Sequence, residues 1–101
     1  MILGRVIGEV WATRKHAAYE GRKLLLVTPR LFHGPRPVPI VAVDVIDAGV
    51  GDQVIVCVGT PARLASGGQN LPIEAAVCAI VDRVELADDV GRRPLTWLEG
   101  A

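Results

Sequence analysis

Three acids around one short turn, Asp44, Asp47 and Asp52, are the residues whose type and spacing first invite chemistry. Carboxylates this close can hold a hard cation. Such cations take about six to eight oxygen ligands from a denser loop than this one, so the acids are expected to form the turn or to assist subunit hydrogen bonding. The same turn carries Gly49-Val50-Gly51, whose amides face the question of phosphate binding. A phosphate loop also needs a further Gly and a Lys-Ser/Thr pair opening a long helix, and the sequence has neither here. A hairpin turn is the better reading, with amides that can line a small anion-attracting opening if several copies converge. His16 and His33 lie in separate polar stretches without an acid or second His at ligand spacing, and are expected to be solvated loop residues. Ser66 sits beside glycines without a nucleophile-elbow pattern. Cys57 and Cys78 each fall inside an apolar run and read as small buried hydrophobes in a reducing compartment. A disulfide between them requires neighbouring strands of suitable geometry. No catalytic set, metal site or cofactor is expected, and the chain is not expected to be an enzyme.

Six further residues invite partner chemistry. Arg14-Lys15 and Arg22-Lys23 are two basic pairs, readable as solvated loop charge or as contacts to a carboxylate- or carbonyl-rich partner surface. Trp11 and Trp97 are candidate interface anchors, as large aromatics often are; for Trp11 core packing is an equal alternative.

The elements that must position these residues are mostly strands. Ile2 to Thr13 is a long first strand, apolar on both parities, so that one face can meet a barrel interior and the other a neighbouring subunit. Gly4 and Gly8 within it suggest sharp curvature or close backbone approach. Lys23–Thr28 is a second strand stopped by Pro29, and Leu31 to Pro39 is a proline-rich loop. Ile40–Ile46 and Gln53–Gly59 are the third and fourth strands, expected to form an antiparallel hairpin about Ala48–Asp52. Thr60-Pro61-Ala62-Arg63-Leu64 starts like a short helix with Thr60 as N-cap. Ala76 to Glu85 is the fifth strand. The expected fold is mainly β: a five-stranded OB-like barrel with a short helical insert between strands 4 and 5.

Composition narrows the function. The 101 residues suit one domain, and a chain of this size gains from subunit contacts because it buries only about two-thirds of its unfolded surface. Lys plus Arg and Asp plus Glu each total 11, a formal net charge of zero. Nucleic-acid binders usually carry a basic excess. Half the residues are apolar but only 4% are aromatic, which also weakens a base-stacking site. A neutral, apolar chain is a poor candidate for remaining solitary. The N-terminal residues lack a signal-peptide layout, and no run approaches the roughly 20 apolar residues of a membrane span, so a cytosolic location is expected.

Together these segments resemble the EutN/CcmL family of bacterial microcompartment vertex proteins. The resemblance runs from Met1 to about Leu86. It rests on Gly4-Arg5-Val6-Ile7-Gly8-Glu9-Val10 followed by Ala12-Thr13-Arg14-Lys15, then Gly21-Arg22-Lys23-Leu24-Leu25-Leu26-Val27. Val41-Ala42-Val43-Asp44 with Ala48-Gly49-Val50-Gly51-Asp52, Val56 to Arg63, and Ile80-Val81-Asp82 complete it. Each motif is weak alone; five in order are specific. The resemblance implies a cyclic pentamer at the fivefold corners of a shell built mostly of hexameric tiles. It implies hexameric and trimeric shell partners, and no nucleic acid or membrane. Within it, Gly49, Val50 and Gly51 are expected near the fivefold axis or an adjoining subunit. Arg63 is expected to bridge subunits, and Arg14 and Lys15 to meet the surrounding hexamers. The barrel is expected to end near residue 86, with residues 87–101 a tail that matches no family pattern. Trp11 departs from the smaller β-branched residue usual at its place, and the Phe32–Pro37 loop is unusually rich in proline. The alternatives are an OB-type oligonucleotide-binding module and a small metal-dependent hydrolase on the Asp44–Asp52 turn.

Overall fold

A computed structural model describes residues 1–32, 36–87 and 96–97, the pairs 31–32 and 96–97 by their backbone alone. In chain order the strands are β1 (Ile2–Val10), β2 (Leu24–Pro29), β3 (Leu31–Phe32), β4 (Ile40–Asp44), β5 (Gln53–Val58), β6 (Ala75–Val81) and β7 (Thr96–Trp97). A short 3-10 turn, Ala17–Tyr19, precedes β2, and helix α1, Thr60–Ser66, lies between β5 and β6. Five strands close into a barrel in the order β1-β2-β4-β6-β5, and β3 pairs with β7 apart from it. The barrel and the helix between its fourth and fifth strands agree with the sequence reading.

Side-chain alternation builds two cores. Val6, Leu25, Val27, Ala42, Val54, Val56 and Val77 fill the barrel interior. Each fully buried Val or Leu contributes about 1.5–3 kcal/mol relative to exposure. The opposite parity faces outward, where Val43, Cys57 and Ala76 pack under Ala62 of α1 and Ile73, with Tyr19 and Leu24 at the margin. The helix therefore covers only part of the barrel's outer face.

Closing so small a barrel takes irregular strands. In β1, Val6 pairs with Val27 but Gly8 with Leu26, leaving Ile7 as an extra residue. In β6 the shift between Ile55 and Val56 makes Cys78 the extra residue. Gly4 supplies the close approach its type suggested: a Cβ there would lie 2.6 Å from Val27 Cγ1 and 2.8 Å from the Thr28 carbonyl oxygen.

The expected hairpin of the third and fourth strands does not form. β4 pairs antiparallel with β2 and parallel with β6, whereas β5 pairs with β1 and β6. The cause is local. Asp44 captures the amides of Ile46 and Ala48, ending β4 two residues before the sequence suggests. Gly51 then donates to the Val6 carbonyl at 2.9 Å and Val6 to the Asp52 carbonyl at 3.0 Å, which hands the chain to β1 rather than back to β4. The helix cap also differs. Gly59, at φ 67°, is the N-cap, and its amide donates to the Glu74 carbonyl at 2.8 Å. The left-handed backbone needed there suits Gly, and Thr60 begins the helix instead.

Candidate assembly surfaces

The acidic turn is held from within the chain. Asp44, with its side chain 3% exposed, pairs with Lys23 Nζ at 3.2 Å and accepts from the Ala48 amide at 3.1 Å. Lys23 also donates to the Ala48 carbonyl at 2.6 Å and reaches Asp47 at 3.3 Å. Asp47 occupies the left-handed region at φ 64°. Asp52 accepts from the Gly49 amide at 2.8 Å. The three carboxylates thus shape the connection, as turn formers do. Lys23 has its pKa raised above 10.5, chiefly by the hydrogen bond to Asp44, with desolvation opposing and Asp47 adding. The tip this scaffold presents is Gly49-Val50-Gly51, with Val50 64% exposed and Gly51 at φ 97°.

The basic residues divide differently from the sequence pairs. Arg22 donates from Nε to the Ala18 carbonyl at 3.0 Å and from Nη2 to the Ser66 carbonyl at 2.9 Å, tying the 3-10 turn to the end of α1. Lys23 is the staple of the acidic turn. Neither fits the reading of solvated charge. Lys15 donates to the Ala12 carbonyl at 2.9 Å and lies 3.9 Å from Glu20, while Arg14 is exposed beside it. Arg63 projects from α1 and donates to Thr60 Oγ1 at 2.8 Å. Arg63 lies on α1, the Gly49–Gly51 tip in the loop between β4 and β5, and Arg14-Lys15 in the connection after β1.

The remaining candidates have structural duties. His16 Nδ1 accepts the Ala18 amide at 3.0 Å, capping the 3-10 turn, and its ring meets Tyr19 edge-on at 6.0 Å. Tyr19 donates its hydroxyl to the Pro72 carbonyl. Ser66 is buried and donates to the Ala62 carbonyl at 2.7 Å. Cys57 and Cys78 are free thiols; burial, followed by the hydrogen bond with Cys78, pushes the Cys57 thiol above its ordinary range. Only Cys57 is fully buried. Among the described residues no three acids, thiols or imidazoles gather as a metal-holding group, and no helix is long and apolar enough to cross a membrane. His33 lies outside the described residues. Thr96-Trp97 pairs by its backbone with Leu31-Phe32, so this part of the tail returns to its own chain. Trp11 is 87% exposed, which removes the core alternative.

The fold is a small closed β-barrel in which Asp44, Asp47, Asp52, Arg22 and Lys23 serve as internal staples. Residues 1–82 match the family model described as ethanolamine utilisation protein EutN/carboxysome. The chain belongs to the EutN/CcmL family, as its sequence motifs indicated. It is 44% identical over 88 residues to the bacterial microcompartment shell vertex protein GrpN of Rhodospirillum rubrum (strain F11), covering 84% of this chain and 97% of that protein. It is 41% identical to the shell vertex protein PduN of Salmonella typhimurium (strain LT2), covering 81% and 96%. Among solved structures, the GrpN pentameric microcompartment shell protein from Rhodospirillum rubrum is similar with a TM-score of 0.71 and 40% identity, covering 85% of this chain and all of that one.

Proposed function

We propose that this chain is a structural subunit of a bacterial microcompartment shell in the cytoplasm, closing into a homopentamer that occupies the fivefold vertices. The observation that carries this reading is its near full-length similarity to vertex proteins, one of them a solved pentamer. The mechanism is geometric. A heterologous interface whose rotation closes after five copies gives a ring, and five wedge-shaped subunits supply curvature that a flat hexagonal layer lacks. The chain is not an enzyme in this reading; Asp44, Asp47 and Asp52, with Arg22 and Lys23, are committed to shaping loops.

Three surfaces are assigned roles. The exposed Gly49-Val50-Gly51 tip approaches the fivefold axis or the adjoining subunit. Arg63 carries further guanidinium donors, and these bridge to the next subunit. Arg14 and Lys15 meet the surrounding hexameric shell proteins, with trimeric ones as additional neighbours. The barrel unit extends to about residue 86, and residues 87–101 form a tail.

The test is electron microscopy of shells co-produced with hexameric shell proteins, with and without this chain. Closed polyhedra only in its presence are expected. Identical closed shells in its absence, with the chain left in the soluble fraction, would contradict the reading.

A further inference from the structure

Among the described residues, one stretch of barrel wall with a strand neighbour on one side only lies at the end of β1. Beyond the Ile7 bulge, Gly8, Glu9 and Val10 pair with Leu26, Leu25 and Leu24 of β2. Their other side has no strand partner among the described residues, because β5 pairs with β1 only from Ile2 to Arg5. The Gly51 and Asp52 contacts then stop at Val6. An open edge beside apolar side chains is a site of association unless something covers it.

Apolar surface continues from this edge. One groove is lined by Val10, Trp11 and Leu24 together with the charged Glu9, Arg22 and Lys23. A second shares Leu24 and runs past Tyr19, Val41, Val43 and Ile73. α1 stops short of this strip, so Val41 stays 49% exposed in the single chain. Trp11 stands at its head, 87% exposed, equal with Met1 as the most exposed large hydrophobic side chain among the described residues. A Trp buries about 150–250 Å² when covered, roughly a quarter of one partner's share of a standard interface.

We propose that this strip, from the open Gly8–Val10 edge through Trp11 and Leu24 to Val41, is one half of the heterologous contact between copies of this chain, with Trp11 its anchor. The occupant is a second copy. The proposal rests on the pentameric reading, and a ring needs each subunit to offer one such surface to a different face of its neighbour. Covering the strip also explains why a subunit with zero net charge can carry so exposed an indole.

The test uses the full-length chain. Native mass spectrometry and sedimentation velocity follow a dilution series of wild type, Trp11→Phe and Trp11→Ala. A Trp97→Phe background isolates the Trp11 fluorescence. In the ring, Trp11 is expected to emit at short wavelength and resist iodide quenching, becoming red-shifted and quenchable on dilution. Trp11→Ala is expected to dissociate at a concentration at least about tenfold higher, a change near 1.4 kcal/mol, with Trp11→Phe intermediate. A ring of five in which Trp11 stays fully quenchable, and which Trp11→Ala leaves unchanged, overturns this inference while sparing the pentamer. A wild-type chain that never forms a ring overturns both. The dilution comparison of the Trp11 variants needs no Trp97 substitution, so it decides the matter even if that background fails to fold.

Discussion

At the residue scale, the acidic turn shows how side chains that look reactive become structural. The Asp44 side chain is almost fully buried and serves the amide of Ala48, itself wholly buried. Asp44→Ala leaves that amide without its acceptor and Lys23 without its nearest carboxylate. A loss of about 1–3 kcal/mol is expected, read from denaturant unfolding at fixed chain concentration; an unchanged midpoint would show that the turn stands without its carboxylate. Lys23 makes a pH prediction. Its pKa is raised by Asp44, so its contribution is complete below the unfolded value and disappears as pH rises through the higher folded value. Between about pH 9 and about pH 12, bracketing the ordinary lysine value, wild type is expected to lose melting temperature faster than Lys23→Met. Parallel curves would contradict this. Sequence showed the basic pairs but not their partners. Arg22 finds Ser66, 44 positions away, and no local pattern encodes a contact that depends on the barrel having closed.

At the element scale, the strands were legible because β-branched runs between Gly and Pro mark them, and α1 was legible from Thr60-Pro61. Gly4 was legible as a point of close approach. Gly4→Ala forces a methyl group into Val27 and the Thr28 carbonyl, and is expected to destabilise the barrel by about 1–3 kcal/mol through overpacking. Circular-dichroism melts measure it; a wild-type melting temperature would mean that β1 and β2 separate at no cost. The strand pairing was not legible. Val41–Asp44 and Gln53–Val56 have the spacing of a hairpin, and only the Asp44 turn with the Val6–Gly51 exchange diverts them. The β1 ending was also hidden. Val10, Trp11 and Ala12 continue an apolar pattern, but pairing with β2 stops at Val10 and leaves Trp11 outside.

At the scale of the whole molecule, neutral charge, modest size and strands apolar on both faces pointed to association, but not to its stoichiometry. That came from ordered motifs over most of the chain. The surfaces assigned to assembly were only partly visible: Arg63 and the Gly49–Gly51 tip stood out as residue types, whereas the groove along Leu24 and Val41 exists only after β2 and β4 pair. Arg63→Ala is expected to weaken the ring and spare the subunit, since its side chain's hydrogen bond among the described residues is an exposed contact to Thr60. A loss of charge-assisted hydrogen bonds of about 1.5–3 kcal/mol raises the dissociation concentration tenfold or more, measurable by sedimentation. No change in that concentration would remove Arg63 from the interface.

The central claim is the closed ring of five, and native mass spectrometry of the untagged protein tests it most directly. A dominant five-subunit species that dissociates into folded subunits on activation is the predicted result. A spectrum dominated by monomer across micromolar concentrations, from a chain whose circular dichroism shows an intact barrel, would contradict it.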